Sequence, residues 1–230
     1  PAGMVSDSVI FSFYAGSAIL ILCVIYTTLK VKEYPPAEYA EYHGITEKKS
    51  DEKGENIIQL LIKAPSAFWT VGLVQFFCWA AFLFMWTYTH GAITTNVHWE
   101  VPVGETASDV AKNWVGVIFA VQAVGSVVWA VVIPYFRSLK MSYVVSLLLG
   151  AVGFISTIFI HDQNWLFFSF ALIGCAWAAM LALPFTLLTN SLTGGNMGAY
   201  LGLFNCTICI PQIIAAVSGG FVLHLVGSSQ

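Results

Sequence analysis

Charge is what this sequence has least of. Only 9% of its 230 residues are Asp, Glu, Lys or Arg, against about 25% in an average globular domain. So few charges cannot cover the surface of a soluble domain of this length. The net charge of −3 offers no basic field for phosphates, which excludes a nucleic-acid partner. Cysteine is scarce as well, and Cys23, Cys78, Cys175, Cys206 and Cys209 all lie inside apolar runs, so no disulfide framework is expected. Hydrolase, Walker and dinucleotide fingerprints are absent, and the apolar runs assemble no nucleophile–base pair. The expectation is a chain that is no enzyme and carries no cofactor.

What fills the sequence instead is hydrocarbon: 58% of residues are hydrophobic and the mean hydropathy is +0.79. Six runs, at 8–29, 67–90, 113–135, 142–160, 166–189 and 198–226, hold no Asp, Glu, Lys or Arg. Each approaches or exceeds the roughly 20 helical residues that cross a bilayer, and each is too long for a barrel strand. An all-α, polytopic membrane protein with six transmembrane helices follows. The first run has no preceding Lys or Arg and outlasts an ordinary signal h-region, so it reads as a span. The chain opens on Pro1 rather than Met, which suggests a truncated or processed product.

Cations orient the spans. Lys30, Lys32, Lys48, Lys49, Lys53 and Lys63 fall in the 30–66 connection, and Arg137 and Lys140 in the 136–141 turn. Those two loops share a side if six helices alternate. The opposite side has only Lys112, beside Glu100, Glu105 and Asp109. The loops 30–66, 136–141 and 190–197 are therefore expected in the cytoplasm and both termini outside, in a multi-pass cell-membrane protein. The 30–66 stretch, broken by Pro35 and Pro36, reads as a linker between two bundles, with a regulatory docking segment as the minor alternative.

Polar residues inside the runs are the candidates for function, because an amide in hydrocarbon needs a partner or a wet cavity. Gln75, Trp79, Phe82 and Trp86 follow one another at i, i+4, i+7 and i+11, one stripe of a helix. Indole combines an apolar face with a single donor, which suits a ligand with both C–H faces and hydroxyls. The alternative is interhelical hydrogen bonding for Gln75 and Trp79, and interfacial anchoring for Trp86. Gln122 and Ser126 are one turn apart, and pocket and interhelical bond suit them equally. Asn205 and Gln212 share a face around Pro211, the kind of interrupted, amide-bearing helix that lines transporter sites. The run holding Trp177 and Pro184 also spaces Gly174, Ala178 and Ala182 four apart, a close-packing signature. His90, near an outer helix end, is the one titratable group that could reach a cavity. Cys206-x-x-Cys209, His98-Trp99-Glu100 and His161-Asp162 read as a helix segment, a polar outer loop and a solvated turn.

Ala182-Leu-Pro184-Phe185, the turn Gly194-Gly195-Asn196-Met197-Gly198, and Gly202-Leu-Phe204-Asn205 followed by Ile210-Pro211-Gln212 resemble the tenth and eleventh helices of sucrose:proton symporters. Those carriers fall in the glycoside–pentoside–hexuronide:cation branch of the major facilitator superfamily. Gln75 to Gly91 is similar to that family's seventh helix, and Gln122 falls near an amide of the eighth. The resemblance implies helices six to eleven of a twelve-helix fold: 1–29 as the last helix of the N-terminal bundle, 30–66 as the central cytoplasmic loop, and 67–230 as a C-terminal bundle without its final helix. It further implies alternating-access transport of a neutral mono- or disaccharide. Gln75, Trp79, Gln122, Asn205 and Gln212 would bind the sugar, and a proton or sodium ion would be the coupling ion, with His90 a candidate for coupling. The implied partners are the sugar, the bilayer and the remaining helices of the same carrier. Two departures stand out: Trp86-Thr87-Tyr88-Thr89-His90 replaces a segment that is acidic in the plant symporters, and the basic loop between helices eight and nine is reduced to Arg137-Ser-Leu-Lys140. A sensor or scaffold that kept the fold is the competing reading, and a six-helix channel is disfavoured for want of a pore ring.

Overall fold

The structure, a computed structural model, describes residues 7–32, Glu38, 56–192 and 197–226. Its described elements are all helical. Six of its helical stretches are long and apolar enough to cross a membrane, as the apolar runs required. The chain divides into two compact units, 1–55 and 56–230.

In the first unit, helix α1 runs over Asp7–Lys30. From Ile10 onward its side chains are mostly apolar, as a membrane-crossing helix requires. Its Thr27 and Thr28 hydroxyls donate back to the Cys23 and Val24 carbonyls at 2.9 Å each, leaving neither donor facing hydrocarbon. Most of the 30–66 connection, including Pro35 and Pro36, lies outside the described residues.

The second unit opens with a short α2 (Ile57–Lys63) and continues as α3 (Ser66–Asn96), α4 (Ala107–Val132), α5 (Leu139–Phe159), α6 (Leu166–Thr189), α7 (Met197–Phe204) and α8 (Cys206–Val226). Pro65 caps α3 from outside, where its missing N–H costs nothing. Helices α3 and α4 each extend about six residues beyond their uncharged runs, on the same end of the unit. At α4 the cause is a capping box: the Thr106 side chain accepts from Asp109 N–H, and the Asp109 carboxylate accepts from Thr106 N–H. The last span carries a one-residue irregularity at Asn205, between α7 and α8, although hydrogen bonds to the Leu201 and Asn205 carbonyls carry the helix across it.

Helix α6 is the buried centre. It runs parallel to α4: Trp114 stacks on Phe167 at one end, and Gly125 and Gly174 interlock further along. A Cβ on Gly125 would stand 2.8 Å from the Ala171 carbonyl oxygen, and one on Gly174 would strike the Gln122 carbonyl. Between helices in lipid there is no hydrophobic drive, so such close backbone approach carries the association. On its other side α6 meets α5 antiparallel, where the Ser156 and Ser169 hydroxyls bond at 2.6 Å. Helix α3 crosses α6 antiparallel and pairs with α8 in parallel, Gly72 meeting Thr207 and Phe204 while Tyr88 meets Gly219. Every pairing obeys the alternation expected of consecutive membrane crossings.

Candidate functional site

Helix α6 contains Pro184, which has no N–H to give the Met180 carbonyl four residues back. Gln75 of α3 supplies the missing donor: its Nε2 donates to Met180 O at 3.2 Å. Its Oε1 accepts from the Tyr143 hydroxyl of α5 at 3.3 Å. With 1% of its surface exposed, Gln75 uses both ends of its amide to tie three helices. Of the two roles open to it, the interhelical one is what the structure displays, and Tyr143 is a partner that no spacing in the sequence pointed to.

One turn along α3, Trp79 is half-buried and stands edge-on to Trp177 of α6 and to Trp86, with ring centres 5.8 and 6.4 Å apart. Trp86 and Trp177 have ring centres 5.3 Å apart, and Phe82, 2% exposed, lies against both at 6.0 and 5.1 Å. The Trp79 indole N–H is buried and has no hydrogen-bond partner among the described residues. An unmet buried donor costs on the order of 1–3 kcal/mol, so it marks a position where an acceptor would be welcome. Trp177 was not among the expected site residues; it lies seven residues before Pro184, hence on the same face of α6, but its run read as packing.

The other amides are dispersed. Gln122 is 6% exposed on α4 at the Gly125–Gly174 contact, and its side chain makes no hydrogen bond among the described residues. Asn205 is exposed at the α7–α8 irregularity, where the Ile208 and Cys209 N–H groups both reach its carbonyl, at 3.0 and 3.1 Å. Pro211 withdraws a further N–H from the same stretch. Gln212 is half-buried and returns Nε2 to the Ile208 carbonyl of its own helix at 3.1 Å. No hydrogen bond among the described residues joins Gln75, Gln122, Asn205 and Gln212 to one another. His90 bridges α3 to the start of α4, its Nε2 donating to the Ser108 carbonyl at 3.1 Å. Two apolar clefts of about 690 and 680 Å³ flank α3, and none of the expected site residues borders either.

The fold defines a polytopic helical membrane protein whose second unit is a bundle with proline-containing helices, its charges kept to the helix ends and loops among the described residues. Residues 2–216 match the Major Facilitator Superfamily, and the chain belongs to that superfamily of membrane transporters. No curated protein and no solved structure matches the chain significantly.

Proposed function

We propose that this chain forms most of the C-terminal half of a carrier for a small neutral sugar, working by alternating access and coupled to a proton or sodium ion. In this reading the six spans are the sixth to eleventh of a twelve-helix carrier of the sucrose-symporter type, with the loop 30–66 on the cytoplasmic side of the cell membrane.

The observation that carries it is the Trp79 N–H, unpartnered among the described residues, within the indole group of Trp79, Trp86 and Trp177. A sugar brings what that group lacks: hydroxyl oxygens to accept from the N–H and C–H faces to lie on indole. The absence of charge from the six apolar runs agrees with a neutral solute. Asn205, exposed at the α7–α8 irregularity, and Gln122 and Gln212, whose Oε1 atoms accept no hydrogen bond among the described residues, add acceptors and donors from α4 and α8. Gln75 acts by holding α3 and α6 in register under Trp79. A single such bond nets only about 0.5–1.5 kcal/mol, so several must act together.

The test is tryptophan fluorescence of the full-length carrier titrated with a panel of mono- and disaccharides. A saturable change, weakened in Trp79→Phe, supports the reading. A saturable change of equal affinity in Trp79→Phe removes the indole N–H from the site, and no change with any sugar removes the substrate class.

A further inference from the structure

At the end of the second unit away from α2, two imidazoles face one another across separate loops. His98 follows α3, and His161 lies between α5 and α6; their ring centres are 5.8 Å apart. Both residues are exposed. Neither is free to wander. The His98 N–H donates to the His161 carbonyl at 2.9 Å, joining the two loops through the backbone. Val97, before His98, is buried, and Trp99, after it, donates from its indole to the Ile93 carbonyl at 3.0 Å. Asn96 spreads its Nδ2 over the Thr157, Ile158 and Ile160 carbonyls that end α5.

The tautomer of His161 follows from its partner. Its Nδ1 lies 2.8 Å from the Asn96 carbonyl, which can only accept, so Nδ1 carries the proton and Nε2 keeps a lone pair. An imidazole anchored by one N–H to a carbonyl, with its other nitrogen outward, is the arrangement metal-binding histidines adopt. The spacing agrees. With metal–nitrogen bonds of about 2.0–2.1 Å, two imidazoles on one ion hold their ring centres roughly 5–6 Å apart.

We propose that His98 and His161 form a two-imidazole site for a divalent ion with a preference for nitrogen, of the zinc, nickel or copper class. No third His, Cys, Asp or Glu side chain joins them among the described residues. Asp162 is engaged as a cap, its Oδ1 accepting from Asn164 N–H at 2.7 Å. Water therefore fills the other positions, and the site is an exchangeable brace between the 97–106 loop and the α5–α6 turn, not a closed structural centre.

Calorimetric titration of the full-length carrier with zinc chloride at neutral pH tests this, with melting temperature measured on the same samples. The expected result is saturable binding and a zinc-dependent rise in melting temperature. His98→Ala and His161→Gln should each weaken binding about tenfold or more, since one imidazole cannot chelate, while His224→Ala binds as the parent does. Gln at 161 retains a donor for the Asn96 carbonyl, so that variant folds while lacking the ligand. Undiminished binding in His161→Gln, loss of binding in His224→Ala, or no binding to the parent would each overturn the proposal.

Discussion

Gln75 donates to the carbonyl of Met180, the one carbonyl in α6 that Pro184 leaves without its backbone partner. A proline in a membrane helix is tolerated when a neighbour meets the group it exposes, and here the neighbour is a side chain held in place by Tyr143. The two residues form one device. Gln75→Leu keeps the volume and removes both bonds, so it should cost about 1–3 kcal/mol. In a Pro184→Ala background the helix recovers its own N–H, and the same replacement should cost clearly less. Thermal or denaturant unfolding of the four proteins in a double-mutant cycle measures the coupling. Equal costs in the two backgrounds would sever the link.

Close approach between α4 and α6 makes a second prediction. Gly174→Ala drives a methyl into the Gln122 carbonyl, and Gly125→Ala into Ala171. Each should destabilise by about 1–3 kcal/mol as helices are forced apart. Gly116 sits on α4 with nothing within 4 Å of an added Cβ, so Gly116→Ala should be neutral or stabilising by up to about 1 kcal/mol. Melting temperatures of the three variants decide it, and a Gly116→Ala variant as unstable as Gly174→Ala would contradict the packing account.

These contacts also mark where the sequence stops informing. Six uncharged runs of helical length were visible at once, because the bilayer imposes one length and forbids charge. The extension of α3 and α4 past those runs was not, since nothing apolar records a helix that continues into water. The irregularity at Asn205 was foreshadowed by Pro211 alone. Side-chain roles were harder still: α3 is apolar all round, so no polar face shows which stripe meets which neighbour. Spacing alone suits Gln75 to cavity and glue alike, and only the neighbours Met180 and Tyr143 show which bonds its amide makes. That the indole N–H of Trp79 goes unmet among the described residues is a property of packing, not of spacing.

Trp79→Phe separates stability from binding. It deletes a buried donor with no partner among the described residues, which offsets the packing lost beside Trp86 and Trp177, so stability should stay within about 1 kcal/mol of the parent. Sugar affinity should fall. Paired thermal melts and binding titrations check both halves, and a destabilised protein with normal affinity would show the indole to be part of the core alone.

Coupling makes a fourth prediction. None of the twelve carboxylates of the sequence falls within the six apolar runs, and a group that senses ions across a membrane must sit inside it. His90 is the exception to consider, yet its ring nitrogen is committed to Ser108 at a helix end. His90→Ala should therefore leave ion-driven sugar accumulation intact while loosening the α3–α4 junction slightly. Uptake by the full-length carrier under imposed proton or sodium gradients measures this. Lost accumulation with preserved sugar exchange in His90→Ala would place coupling in this segment after all.

The central claim, transport of a neutral sugar, is tested most directly by counterflow in liposomes. The full-length carrier is reconstituted, the vesicles are loaded with unlabelled sugar, and entry of labelled sugar is followed across a panel of mono- and disaccharides. The account predicts transient, saturable accumulation of at least one neutral sugar, weakened in Trp79→Phe and in Asn205→Ala. Exchange of no sugar by a correctly folded carrier would contradict it and favour a protein that kept the transporter fold as a sensor or scaffold.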